Sequence, residues 1–185
     1  MTEAFYVRQD GAHLPTDYVT GPWDPAMCHA GPPTALLLDA FATAAPGMGI
    51  TRATFEIPRG IPKVPVTITV EDVRPGRKVR MMRGALVDQD GHELLVAHAW
   101  AIRETDGLPA NVPSVPATPA PEDCDVLRMD AWGYTGYLDA VEIRVIRGTP
   151  FTGGSAAAWV RSTIPLIEGV ASDPTHLVAL FGDLG

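Results

Sequence analysis

The sequence predicts an α+β fold in which an antiparallel sheet wraps around one long central helix. Three observations carry this expectation. Residues 30–45, AGPPTALLLDAFATAA, are apolar on nearly every side, so a helix formed there has no face to offer water and belongs in the interior. The segments around it place apolar residues at every second position, the pattern of strands with one dry face. After residue 52 four such segments follow one another without a second helix, which suits hairpins rather than the parallel crossovers that need a helix between strands.

Taken in order, residues 4–8 and 13–20 are short, rich in aromatic and β-branched residues, and read as strands. Gly21-Pro22-Trp23-Asp24-Pro25 breaks the chain. The central helix follows, its prolines sitting in a first turn that tolerates them and Asp39 its only charge; Pro46-Gly47 ends it. Ala53, Phe55 and Ile57, then Val66, Ile68 and Val70, mark two half-dry strands. Residues 73–77 form a turn, and 79–88 and 94–103 form a hairpin across Gln89-Asp90-Gly91. In the last strand Ala97, Ala99 and Ala101 make a small-residue face that admits a helix closely, opposite a bulky face with Val96, His98 and Trp100. Residues 105–121 are rich in Pro and small residues without a period and read as linker. Beyond them, 141–146 and 156–163 are strand-like, and Ser172-Asp173-Pro174 resembles the cap and first turn of a helix continuing through 176–181. The expected division is a first unit over 1–104, a linker over 105–133, and over 134–185 the start of a second unit, with two strands and the beginning of a helix.

Composition narrows the function. The 185 residues carry a net charge of −8 and no basic run, which argues against nucleic acid or an anionic membrane surface as partner. No apolar stretch approaches the ~18 residues of a membrane span, and a basic, apolar leader is missing from the first residues; the expectation is a cytoplasmic protein. The two cysteines, Cys28 and Cys124, offer neither metal-ligand spacing nor a disulfide framework, so no metal and no cofactor are expected.

Particular motifs go further. GPWDPAMCHAGPPTALLLDAF resembles a Gly-Pro-Trp, His-x-Gly-Pro approach to a central helix. VEDVRPGRKVRMMRGALVDQDG resembles an Arg-Pro-Gly-Arg strand pair, AHAWAIR the strand that closes the unit, and GGSAAAWVRSTIPLIEG with DPTHLVALFGD the opening of a second unit. In this order they resemble the thioesterase-like superfamily of double hot-dog proteins, related to type II acyl-CoA thioesterases. The resemblance implies a hot-dog fold with an incomplete second unit, and hydrolysis of a fatty acyl or related thioester by water, within lipid metabolism. It also places Asp183 where the family has a catalytic Asp; the hydroxyl residue and Gln that accompany it fall further along than residue 185.

Thioester hydrolysis requires donors aimed at the forming oxyanion and a base that directs water. Gly31, with Ala30 beside it, leads into the apolar helix, where amides are unpaired and no side chain blocks a ligand carbonyl; the same glycine serves equally to allow the turn. His29 is a candidate acid/base or a turn cap. Cys28 has no visible partner for nucleophilic chemistry. Asp183 is a candidate base beside Leu177 to Phe181, or a solvated end residue. Arg77 and Lys78, with Arg74 and Arg80, form the local basic concentration that suits coenzyme A phosphates, or a solvated hairpin. Asp24 and His29 have the Asp-x4-His spacing of hot-dog enoyl-CoA hydratases, with Ala35 at a matching small position, yet Trp23, Ala26 and Met27 depart from that pattern; Asp24 is otherwise a turn residue. Three functions therefore stand: an acyl-CoA thioesterase, a hydratase using Asp24 and His29, and a non-catalytic acyl-CoA-binding protein. The partner is an acyl-CoA or acyl-carrier thioester, and an exposed strand edge predicts a homo-oligomer.

Overall fold

In a computed structural model of the chain, residues 3–105, 118–128, 135–148 and 154–184 are described. The apolar segment forms helix α1, Gly31–Ala44. Against it lies a four-stranded antiparallel sheet of β3 (Met48–Glu56), β4 (Thr67–Arg74), β5 (Val79–Val87) and β6 (Glu93–Arg103), in the order β3-β6-β5-β4. All four strands contact the helix. This is the hot-dog arrangement: a helix with almost no polar surface, packed on an antiparallel sheet.

The register explains how closely helix and sheet approach. Ala97, Ala99 and Ala101 of β6 are fully buried, and Ala97 pairs across the sheet with Gly84 of β5. A Cβ built on Gly84 falls 2.8 Å from both Leu37 Cδ1 and Phe41 Cζ. The small-residue stripe thus lets Leu36, Leu37 and Phe41 bury completely, a gain of roughly 1.5–3 kcal/mol for each such side chain.

The amino-terminal hairpin, β1 (Tyr6–Gln9) and β2 (Ala12–Pro15), prolongs the sheet beyond β4. His13 and Val66 exchange backbone hydrogen bonds of 2.8 and 3.0 Å. On its other side β1 meets residues 165–168, where Tyr6 N–H donates to the Leu166 carbonyl and Glu168 N–H to that of Tyr6. Where a strand was expected to run on to residue 20, Thr16 instead caps a short 3-10 helix, Asp17–Val19, its hydroxyl accepting from Tyr18 N–H.

A second, three-stranded sheet has the order β7 (Asp125–Val126), β8 (Val141–Arg147), β9 (Ala157–Ser162). Within the stretch read as linker, residues 125–126 therefore pair with β8, while 106–117 and 129–134 lie outside the described residues. Val141 and Ile143 of β8 join the same apolar core as α1. The final segment forms one helical turn, α2 (Pro174–Leu177), and a 3-10 turn, Val178–Phe181. It packs on α1. Asp39, the one charge on that helix, finds its partner there, with His176 Nδ1 3.0 Å from Asp39 Oδ1.

Candidate active site

At the amino end of α1 three chain segments converge on His29. Its backbone N–H donates to the Val19 carbonyl (2.8 Å), which fixes the approach to the helix. Its ring Nδ1 lies 3.1 Å from Gly31 N–H. A backbone amide only donates, so Nδ1 is the acceptor and the proton of the neutral ring sits on Nε2. Nε2 faces Asp183 Oδ2 at 3.7 Å, beyond hydrogen-bond length, so the Nε2–H points at a carboxylate yet stays free to engage a ligand atom. The His29 side chain is 10% exposed and that of Asp183 59%. Burial lowers the imidazole below its ordinary range, only partly countered by the Asp183 charge.

The structure narrows the set of helix-end donors. Prolines 32 and 33 have no N–H, Gly31 N–H is taken by His29, and Thr34 N–H donates to the Ala30 carbonyl. Nor is the amino end open as expected. The Leu180 carbonyl oxygen occupies the space a Gly31 side chain would need, and Thr34 Oγ1 stands 2.8 Å from the Gly31 carbonyl and 2.9 Å from that of Ala179. Gly31 is required here for close packing of the 178–181 turn rather than for access to a ligand. Among the described residues Ala30 N–H is the amide of this turn that makes no hydrogen bond.

Tyr137 was not anticipated from the sequence. Fully buried, it stacks on His29 with ring centroids 3.8 Å apart and planes within 4°. Its hydroxyl donates to the Leu180 carbonyl at 2.6 Å. Burial and the nearby Asp183 charge both push the phenol well above its usual range, so it acts as a donor and not as a base. Its signal in the sequence is weak, a single Tyr after a Gly, because the contact joins distant segments.

The other anticipated residues fall elsewhere. Asp24 is exposed, its Oδ1 accepting from Ala26 N–H at 2.8 Å, and among the described residues no hydrogen bond or ion pair joins it to His29; the dyad spacing belongs to a turn. Cys28 is pushed up to about 12 by burial, which removes it as a nucleophile at ordinary pH. Arg77 and Lys78 lie at the opposite end of α1, a helix length of ~20 Å from Gly31: Arg103 N–H donates to the Lys78 carbonyl, and Arg80 Nη1 to the Ala44 carbonyl. With Arg74 and Arg103 they line a depression of about 490 Å³. Arg80, by contrast, is paired with Asp72 at 2.7 Å and Arg83 with Glu93 at 2.6 Å. Among the described residues no carboxylate lies within ion-pair distance of the four lining cations.

Residues 19–102 match the family described as acyl-CoA thioesterase N-terminal domain. They are similar to that domain, and the fold they adopt is the hot-dog fold. Solved structures extend the likeness over nearly the whole chain. A candidate thioesterase from Novosphingobium aromaticivorans is 24% identical, with 97% of this chain and 71% of that one covered and a TM-score of 0.69. A candidate thioesterase II from Thermobifida fusca is 18% identical over 100% and 72% of the two chains, with a TM-score of 0.71. A hot-dog protein of unknown function from Alicyclobacillus acidocaldarius is 19% identical over 98% and 67%, at 0.69. At these identities the likeness concerns the fold. No curated protein matches the chain. Among the described residues no helix is long and apolar enough to cross a membrane.

Two buried histidines make stability pH-dependent. His13 is lowered by burial and by Arg8, against an opposing pull from Asp39, and His29 is lowered as above. The folded state then holds fewer protons on these rings than the unfolded chain, so their contribution is full above the unfolded value of ~6.5 and is lost as pH falls below it. Thermal melting followed from pH 7.5 to 5 is expected to show a falling midpoint, and His13→Leu to flatten the fall.

Proposed function

We propose that this protein hydrolyses acyl thioesters, coenzyme A thioesters among them. Asp183 takes a proton from a water molecule as its oxygen adds to the thioester carbonyl carbon. Ala30 N–H and His29 Nε2–H receive the charge that gathers on the carbonyl oxygen. The carbon–sulfur bond then breaks, the thiolate recovers a proton, and a carboxylic acid and a free thiol leave. The observation that carries this reading is the neutral His29, locked by Gly31 with its remaining N–H directed toward an accessible carboxylate. The thioesterase family match supports it independently. His29 contributes a hydrogen bond rather than a positive charge, because its burial opposes protonation.

Arg77 and Lys78, with Arg74 and Arg103, are the proposed contacts for the phosphates of the thioester carrier; a ligand held both there and at Ala30 spans the length of α1. Arg77→Gln with Lys78→Gln is expected to raise KM for acyl-CoA several-fold, and KM of the unaltered protein to rise with added salt through screening. The proposed setting is cytoplasmic lipid metabolism, in a homo-oligomer: β3 is an edge strand of its sheet, and an unpaired edge invites a strand from a second copy. A solution mass equal to one chain at working concentration would remove the oligomer.

The direct test is thiol release from short-, medium- and long-chain acyl-CoA esters. Turnover on one class supports hydrolysis. Binding by calorimetry without turnover on any class replaces the enzyme with an acyl-CoA-binding protein, and loss of enoyl-CoA absorbance replaces it with a hydratase.

A further inference from the structure

Tyr137 touches both halves of the candidate site, and neither the family match nor the site chemistry assigns it a role. We propose that Tyr137 is a positioning residue: its ring fixes the plane of His29 while its hydroxyl anchors the turn that carries Asp183, so that one side chain sets the geometry between donor and carboxylate. The functional meaning of this geometry rests on the hydrolase reading; the geometry itself does not.

Gly31 N–H holds His29 at Nδ1 alone, which leaves the ring able to tilt about that bond. The coplanar stack at 3.8 Å removes this freedom, because two rings so close admit no water between them. On the other side of the site the Leu180 carbonyl, three residues before Asp183, accepts from Tyr137 Oη at 2.6 Å. Burial keeps the phenol protonated, so this hydrogen bond persists across the working pH range. A backbone device brings Tyr137 in. Gly136 has φ +92°, and a side chain there would meet Thr20 Cβ at 2.8 Å and the Asp17 carbonyl oxygen at 2.9 Å. Gly136 N–H donates to Asp139 Oδ2 (2.8 Å), and Tyr137 N–H donates to the Thr20 carbonyl (3.0 Å). The turn is therefore pressed against the end of the 3-10 helix whose Val19 carbonyl accepts from His29 N–H, where only glycine fits.

Among the described residues Tyr137 stacks on the His29 ring, Gly31 N–H meets its Nδ1 and Asp183 faces its Nε2, so two variants at Tyr137 separate the stack from the hydroxyl bond. Tyr137→Leu removes the stack; Tyr137→Phe keeps it and removes the hydroxyl bond. In an NMR titration of the His29 ring, the midpoint is expected to rise toward the ordinary ~6.5 in Tyr137→Leu, as water reaches the uncovered face, and to stay put in Tyr137→Phe. In Tyr137→Phe, amide exchange over residues 180–184 is expected to quicken about fivefold, as for loss of one buried hydrogen bond, with kcat lowered by a similar factor and KM unchanged. A merely structural tyrosine would lower the melting temperature and leave the His29 midpoint in place. An unchanged midpoint in a folded Tyr137→Leu overturns the proposal; should that variant not fold, unchanged exchange in Tyr137→Phe does so. Neither readout requires turnover, so failure of the hydrolase reading, seen as no thiol release by the unaltered chain, remains distinguishable.

Discussion

Replacing Asp183 with asparagine is expected to lower kcat for acyl-CoA hydrolysis by about 10²–10⁴-fold, the range that general-base removal produces, with KM nearly unchanged. The amide has the same shape and is only half-exposed in its setting, with a side-chain exposure of 59%, so stability should move by no more than about 0.5 kcal/mol. Asparagine cannot accept a proton from water, and the transition state alone loses its partner; an equal fall in kcat and kcat/KM is the signature of that loss. The companion measurement is His29→Ala, which removes the Nε2–H donor together with the acceptor of Gly31 N–H and the stack on Tyr137; its effect on kcat should still be smaller than that of Asp183→Asn, since Ala30 N–H stays. A wild-type kcat in Asp183→Asn, from a protein that melts normally, would take Asp183 out of the mechanism.

Enlarging Gly84 should produce the largest effect on stability. A Cβ there falls 2.8 Å from Leu37 Cδ1 and Phe41 Cζ, on the face where α1 presses on β5. Leu37 and Phe41 are fully buried and have nowhere to retreat in a close-packed interior. Overpacking of this kind typically costs 1–3 kcal/mol, and the expected series is Gly84→Ala at about 1 kcal/mol and Gly84→Val at about 3 kcal/mol. Urea unfolding at fixed m-value measures both. Equal stability of Gly84→Val and the unaltered protein would mean that helix and sheet are not in the contact described.

Much of this architecture was legible in advance for reasons that lie along the chain. The segment from Gly31 to Ala44 lacks a polar face, and nothing but burial accommodates such a helix. Alternation in β5 and β6, with alanine at every second position of 97–101, fixed both the faces and the close approach. Elements with weak periodicity were read less well. Residues 16–20 became a 3-10 turn because the Thr16 hydroxyl competes for a backbone amide, and β7 is two residues long, too short to show a period.

The candidate site divides the same way. Asp183 follows from the resemblance and His29 from its place at the helix entry; the structure sets the two side chains 3.7 Å apart. The spacing of Asp24 and His29 looked chemical but is a turn, because Asp24 caps Ala26 two residues on. Arg77 and Lys78 form a charge concentration visible along the chain, but their proximity to the strand pair gives no hint that they stand at the far end of α1 from Gly31.

The chain's own pattern was thus enough to determine a buried central helix, its antiparallel wrapping, and the charged and apolar residue types available for thioester chemistry, because propensity and periodicity act between near neighbours. Tertiary structure alone decided that Leu180 closes on Gly31, that Tyr137 covers His29, and that Asp183 comes to face the His29 ring. Those outcomes depend on which distant segments compete for the same few ångströms and the same hydrogen bonds, and no local pattern encodes that competition.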